Sequence, residues 1–141
     1  MAKVVRITLE ASRPLPRELG MIAIRKKPKV LVVDDERIVA DTLATILKIN
    51  GFDTTALYSG EQAIEWVEIF HPHIVLSDIC MHKVSGIETA EHIRQLRPEC
   101  RVILFTASAI SPENRSRINE LGLEFLERPL HPEVLLAHLQ K

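Results

Sequence analysis

The residues best suited to chemistry in this chain are acidic side chains that follow short apolar runs. Asp34 and Asp35 come directly after the run at residues 30–33, and Asp78 ends the run at residues 74–78. Like charges about 4 Å apart repel by roughly 4 kcal/mol at an effective dielectric constant of about 20, so carboxylates brought together take up protons or bind a cation. An oxygen-rich site with access to water suits Mg²⁺. These residue types therefore predict a site for a hard divalent metal.

A hydroxyl and a cation follow two further apolar runs. Thr106 ends the run at residues 102–106, and Arg128 comes directly after the run at residues 125–127. If the four runs are neighbouring parallel strands, their carboxyl ends gather three carboxylates, a hydroxyl and a cation, and Mg²⁺ would balance the charge. Phosphoryl transfer depends mainly on such positioning and charge stabilisation. The pattern therefore predicts a pocket for a metal and a phosphoryl group.

Each of these residues, taken alone, has a simpler interpretation. Asp35 and the following Glu36 could cap a helix, because acids favour helix N-termini. Three other residues could have ordinary roles, as a loop acid, a hydroxyl bonded to the main chain and a surface charge: Asp78, Thr106 and Arg128. Their joint placement at the ends of four predicted strands favours the functional interpretation.

The elements that must position these residues alternate between apolar runs and helical periodicity. We predict strands at residues 29–34, 52–57, 74–78, 101–106 and 124–127, and helices at residues 36–49, 60–70, 85–96, 112–121 and 132–141. This alternation, with short links, predicts a doubly wound α/β domain with a five-stranded parallel sheet and helices on both faces. Ligands of such sheets bind beyond the carboxyl ends of the strands, where the residues above are predicted to lie.

Length and charge indicate one domain preceded by a basic extension. A chain of 141 residues suits one domain, and its 46% hydrophobic content argues against global disorder. Residues 1–28 carry a net charge of +5 and the remainder carries −6. We therefore expect a basic extension or linker at residues 1–28 and a domain at residues 29–141. The extension could contact nucleic acid, an anionic membrane or an acidic partner, or be a solvated tail.

The sequence indicates a cytoplasmic protein. No apolar stretch approaches the roughly 20 residues that a membrane-spanning helix needs, and the first 20 residues lack the apolar block of a secretory signal. Cys80 and Cys100 are too few for a disulfide framework, so we expect reduced thiols. His71 and His73, beside a proline, favour a loop over a metal site.

Residues 29–141 resemble the receiver domain of bacterial two-component response regulators, in the stand-alone form of the chemotaxis regulators. The segments that carry the resemblance are Val30-Leu-Val-Val-Asp-Asp-Glu36, Ile74-Val-Leu-Ser-Asp-Ile-Cys-Met81, Gly86, Leu104-Phe-Thr-Ala107 and Phe125-Leu-Glu-Arg-Pro129. The resemblance implies a flavodoxin-like fold with strand order 2-1-3-4-5. It also implies a phosphoryl group accepted from a sensor histidine kinase or a histidine phosphotransfer protein.

The resemblance assigns the acidic residues to a phosphorylation site with Mg²⁺ as cofactor. Asp78 would be the phosphoacceptor and the modified residue. Asp35, Asp78 and the backbone carbonyl of Cys80 would bind Mg²⁺, and Asp34 would hold the ion through water.

The resemblance assigns three further residues to catalysis and switching. Thr106 would turn inward to meet the phosphoryl oxygen, and Phe125 would move inward behind it as an aromatic switch. Arg128 would supply the cation. Ala107 would leave room for the phosphoryl group, and the bond between Arg128 and Pro129 would match a cis peptide of the family.

Two residues depart from the family pattern. Arg128 stands where the family normally has lysine, and its planar fork is longer and bulkier than an ammonium group, so the switching contact could be weakened or redirected. His82 replaces the usual proline after the methionine, which could loosen that loop. Neither change removes a metal ligand or the acceptor, so we expect phosphorylation to be retained.

The leading hypothesis is a phosphorylation-switched receiver that catalyses only its own phosphorylation and dephosphorylation. We expect no output or nucleic-acid-binding domain beyond Lys141. We therefore expect the signal to leave by contact with an unknown target protein, through the fourth helix, fifth strand and fifth helix. The alternative is a phosphorylation-independent pseudo-receiver adaptor, which Arg128 and His82 favour. A metal-dependent phosphatase is disfavoured, because the chain lacks an Asp-x-Asp pair and a cap insertion.

Overall fold

The computed structural model describes residues 27–106, 108–127 and 130–141. Within these ranges, five strands alternate with five helices. The strands are β1 (Lys29–Val33), β2 (Asp53–Leu57), β3 (Ile74–Asp78), β4 (Arg101–Phe105) and β5 (Glu124–Leu126). The helices are α1 (Arg37–Ile49), α2 (Gly60–Phe70), α3 (Gly86–Leu96), α4 (Pro112–Leu121) and α5 (Pro132–Leu139).

All five strands are parallel and lie in the order β2-β1-β3-β4-β5. The chain forms β1, steps to one side for β2, and then returns across β1 to form β3 on the other side. The direction of winding therefore reverses between β1 and β3, and the loops that follow these two strands leave a crevice at the carboxyl edge. The predicted doubly wound fold and strand order are confirmed.

The sheet separates two hydrophobic clusters because successive strand residues point to opposite faces. Leu31 and Val33 of β1 face α2, α3 and α4, whereas Val30 and Val32 face α1 and α5. All four side chains are fully buried. This burial on both faces explains why β1, β3 and β4 are nearly continuous in apolar residues.

The predicted elements are present, and their ends differ by a few residues. β1 ends at Val33 and β4 ends at Phe105, so Asp34 and Thr106 follow their strands instead of closing them. Asp34 leaves the strand because its carboxylate accepts the main-chain N–H of Glu36 at 2.9 Å, which turns the chain into α1.

Serine hydroxyls fix the starts of three helices. Ser59, Ser85 and Ser111 accept main-chain N–H groups in the first turns of α2, α3 and α4. Such caps typically contribute about 1 kcal/mol each. At the start of α3, Ser85 and Glu88 cap each other reciprocally.

Gly86 allows α3 to begin against the end of β3. A Cβ atom at this position would lie 2.0 Å from the carbonyl oxygen of Asp78, so only glycine fits without a shift of the main chain. The Gly86 N–H donates to the carbonyl of Ile79 at 2.8 Å. This close approach fixes one end of the loop that leads out of β3.

No helix in the described part of the chain has the length and apolar character that crossing a bilayer would require. The cytoplasmic location expected from the sequence stays a prediction.

Candidate metal and phosphoryl site

Three carboxylates meet at the carboxyl edge of the sheet. Asp34 and Asp35 follow β1, and Asp78 ends the adjacent strand β3. One oxygen from each carboxylate lies within 4.8 Å of the other two. Asp34 and Asp78 are 3% and 9% exposed, so this negative charge is largely withdrawn from water.

Burial and mutual repulsion disfavour the charged forms of two of these carboxylates. Burial raises the pKa of Asp78 to about 7, with a smaller contribution from the charge of Asp34, although the main-chain N–H groups of Cys80 and Ile79 oppose the rise. Burial likewise raises the pKa of Asp34 to about 6, against the N–H of Glu36. The site therefore holds negative charge that a divalent cation would neutralise.

Asp35 differs because it has its own hydrogen-bond donors. Burial alone would raise its pKa, but the main-chain N–H and the ring of His82 outweigh that effect, and the net pKa of Asp35 is lowered. The N–H of His82 donates to Asp35 Oδ2 at 3.0 Å, and His82 Nδ1 lies 2.6 Å from the same oxygen. Asp35 is therefore an ionised carboxylate held in one orientation.

The donors around this cluster suit a hard cation. An open cavity of about 470 Å³ lies over the three carboxylates and is also lined by Cys80 and Thr106. Carboxylate oxygens with room for water are the ligands that Mg²⁺ takes, and a main-chain carbonyl would add a further oxygen. The residues present therefore fit Mg²⁺.

Thr106 lies between this cavity and a second one. It follows Phe105, which pairs with Asp78 in the sheet, and its buried hydroxyl accepts the N–H of Ser108 at 3.2 Å. The second cavity, of about 250 Å³, is lined by Thr106 and by Phe125 of β5. Phe125 is partly buried against the cluster on the α2, α3 and α4 face.

Several residues singled out in the sequence lie outside the described residues. These are Arg128, Ala107 and Pro129, together with the basic extension as far as residue 26. The predicted cation and the predicted cis peptide therefore stay predictions.

One contact at the site was not anticipated from the sequence. The sequence marks His82 as a departure from the family's proline and gives no sign that its side chain bonds to Asp35. The two residues are 47 positions apart, so no local pattern relates them. Only the adjacency of β1 and β3 brings their loops together.

The fold and the carboxylate cluster define a class of protein: a doubly wound α/β domain with an acidic pocket at the point where the winding reverses. The family model of the response regulator receiver domain matches residues 30–140. The chain belongs to this family, as the resemblance predicted. Receiver domains are typically signalling modules without enzymatic activity toward other molecules, and they bind Mg²⁺ at an acidic pocket.

Relatives and solved structures agree with this assignment. The response regulator MprA of Mycobacterium ulcerans (strain Agy99) is 26% identical over 112 residues, which cover 79% of this chain and 48% of that protein. The chain thus spans about half the length of the curated relatives it matches. The CheY-like receiver domain protein of Methanospirillum hungatei JF-1 has a TM-score of 0.76 and 25% identity, covering 82% of this chain and 92% of that one. The Francisella response regulator 1452 receiver domain has a TM-score of 0.71 and 27% identity, covering 81% of this chain and 94% of that one.

Proposed function

We propose that this chain is the phosphoacceptor module of a two-component phosphorelay and that Asp78 is the residue modified. The observation that carries the proposal is the meeting of Asp34, Asp35 and Asp78 within 4.8 Å at the carboxyl edge of the sheet. Membership of the receiver family supports a sensor histidine kinase or a histidine phosphotransfer protein as donor.

The metal of this site is proposed to be Mg²⁺, held by Asp35, Asp78 and the backbone carbonyl of Cys80, with Asp34 acting through water. When bound, Mg²⁺ supplies positive charge to the oxygens of the phosphoryl group. The burial of Asp34 and Asp78 supports this assignment, because their charged forms need a cation nearby.

Asp78 is proposed to act as the nucleophile. An ionised carboxylate oxygen of Asp78 attacks the phosphorus of a phosphohistidine, the phosphorus–nitrogen bond breaks, and the imidazole leaves with the electron pair of that bond. The open cavity over Asp78 gives a donor access from solvent. Release of the phosphoryl group to water would return Asp78 to its carboxylate form, so the chain catalyses only its own modification.

The switch is proposed to run from Thr106 to Phe125. The Thr106 hydroxyl, which now accepts the N–H of Ser108, would donate to a phosphoryl oxygen instead, and Phe125 would move into the space vacated. Arg128 is proposed to supply the cation beside the phosphoryl group. The surface of α4, β5 and α5 would then change its affinity for an unknown downstream protein. Changing the ratio of switched to unswitched molecules from 1:99 to 99:1 requires about 5.5 kcal/mol of differential stabilisation of the switched state.

The test is incubation with Mg²⁺ and a small acyl-phosphate donor, followed by intact mass measurement. Wild-type protein should gain one phosphoryl group, and Asp78→Asn should gain none. Asp53→Asn is the matched control, because Asp53 is an exposed aspartate at the amino end of β2 and should not affect the gain. No gain in wild type, or an equal gain in Asp78→Asn, would contradict the proposal.

The pseudo-receiver adaptor is not favoured by the family match. The same variant separates the two functions. An adaptor would bind its partner equally well with Asp78→Asn, whereas the switched receiver would lose the difference between its phosphorylated and free forms.

A further inference from the structure

His82 makes two hydrogen bonds to one oxygen of the proposed metal ligand Asp35. Its main-chain N–H donates to Asp35 Oδ2 at 3.0 Å, and its ring nitrogen Nδ1 lies 2.6 Å from the same atom. The histidine side chain is 95% exposed, whereas that of Asp35 is 22% exposed. A ring so open to solvent has no packing that would direct it, so the carboxylate is its one directing contact among the described residues.

The geometry of the pair leaves a specific part of Asp35 available. The ring donates when its hydrogen is on Nδ1, and both donors then converge on Oδ2. A carboxylate accepts through two oxygens, and Oδ1 accepts no hydrogen bond from the side chain or main chain of His82. Asp34 is held in a comparable way, because its Oδ1 accepts the N–H of Glu36 at 2.9 Å.

The loop that carries His82 is fixed at its two ends. At one end the Ile79 N–H donates to the carbonyl of Phe105 at 3.0 Å, and at the other end Gly86 donates to the carbonyl of Ile79 at 2.8 Å. Within the loop, Lys83 has φ 64° and so turns the chain in the left-handed region. The ends of the loop are thus set by the fold, and the His82 N–H between them donates to Asp35.

We propose that His82 is a positioning residue of the metal centre, which fixes Asp35 with Oδ1 free for the cation. The inference rests on the proposed function, since it takes the cation to be Mg²⁺ bound at Asp35. Its physical basis is preorganisation. A loop carboxylate free to rotate loses rotamer freedom when it binds a metal, whereas one already held by two donors does not. Hydrogen bonds to ligands commonly change metal affinity by about 10-fold to 100-fold.

The test is a calorimetric titration of the metal-free 141-residue chain with MgCl₂ in a graded series of variants. His82→Ala removes the ring donor and keeps the main-chain donor, so the Kd for Mg²⁺ should rise about tenfold. His82→Asn places an amide N–H₂ near the position of Nδ1 and should restore most of the affinity.

Rescue by asparagine separates positioning from a general structural role, because a loosened loop would not be repaired by one amide. His92→Ala is the matched control, since His92 is an exposed histidine on α3 away from the pocket, and its Kd should equal that of wild type. Mg²⁺ binding by His82→Ala that is as tight as in wild type, or tighter, would overturn the inference. Failure of His82→Asn to improve on His82→Ala would also overturn it.

The phosphoryl gain of wild-type protein, measured in parallel, tells the two proposals apart. A graded loss of Mg²⁺ affinity without phosphoryl gain would keep the positioning role and refute the phosphoacceptor function. Phosphoryl gain with unchanged Mg²⁺ affinity across the His82 series would support the phosphoacceptor function and refute the positioning role of His82.

Discussion

At the scale of single residues, the acidic cluster contains ionisable carboxyl groups that are buried from solvent. Asp34 and Asp78 are both buried, and the pKa of each carboxyl is raised, first by burial and then by its acidic neighbours. In the unfolded chain the same groups are hydrated and titrate near their ordinary values. The folded state therefore binds more protons than the unfolded state between about pH 4 and about pH 7.

This difference predicts how stability depends on pH in the metal-free protein. The free energy of unfolding should fall as pH rises through about 6 and about 7, the folded-state pKa values of Asp34 and Asp78. Asp78→Asn should stabilise the metal-free protein by roughly 1–3 kcal/mol at pH 8 and have little effect near pH 4. Urea denaturation in the presence of EDTA measures both the pH dependence of the free energy of unfolding and the difference between wild type and Asp78→Asn.

The comparison between wild type and Asp78→Asn cancels the titration of groups elsewhere in the chain. Saturating Mg²⁺ should remove the advantage of the asparagine variant, because the cation then neutralises the carboxylates. A variant less stable than wild type at pH 8 without metal would show that the repulsion at Asp78 is not the dominant effect.

At the scale of elements, α4 packs little of its surface into the core and is also attached by polar contacts. Its only buried residue is Ile118, whereas the neighbouring helix α3 buries five.

Arg94 of α3 donates to the carbonyls of Leu121 and Gly122 at the end of α4. Ion pairs of Arg117 with Glu91 and of Arg115 with Glu127 complete the attachment. Exposed pairs of this kind contribute little, so α4 should be the helix most easily displaced.

We predict that Arg94→Ala loosens α4 selectively. A cation that bonds to the last carbonyls of a helix contributes about 1 kcal/mol, so hydrogen exchange in α4 should accelerate several-fold. Exchange in β1 and β3 should stay unchanged, and mass spectrometry of peptic fragments resolves the two regions. Arg97→Ala is the control, because the ion pair that Arg97 makes among the described residues is with nearby Glu99 and not with α4. Equal acceleration throughout the protein would contradict the assignment to α4.

At the scale of the whole molecule, the two edges of the sheet carry different polar networks. At the amino edge, Arg101 of β4 bonds to both oxygens of Glu124 of β5, each at 2.6 Å. Arg101 also donates to the carbonyl of His138 in α5, and the His138 ring lies 3.0 Å from Glu124. This network fastens β4, β5 and α5 together, and it lies a strand length away from the carboxylates.

The separation predicts that stability and metal binding can be changed independently. Arg101→Ala should lower the free energy of unfolding by roughly 1–2 kcal/mol, because it removes charge-assisted hydrogen bonds from partly buried groups. The Kd for Mg²⁺ should stay at the wild-type value. Urea denaturation and calorimetric titration of one preparation test both halves, and a large change in Kd would show that the two edges are coupled.

The sequence by itself determined the elements and the candidate ligands. Apolar runs covered on both faces, helical periodicity and the serines before α2, α3 and α4 are local signals, and each acts within a few residues of the element it defines. Asp34, Asp35 and Asp78 could be singled out because each follows or ends such a run. The strand order came from family resemblance, since periodicity does not say which strands are neighbours.

The tertiary structure alone decided the contacts between loops and the electrostatic environment of each carboxylate. Whether Asp34 is buried, whether His82 reaches Asp35, and whether Arg101 meets Glu124 depend on loop conformations and on distances of a few ångströms between residues far apart in the chain. A hydrogen bond is lost when its donor and acceptor move apart by a fraction of the distance between them. The pKa of a group likewise depends on all the residues that bury it. These distances and pKa values are set only when the whole sheet has assembled. The local sequence pattern therefore identifies the candidate ligands but does not determine their geometry.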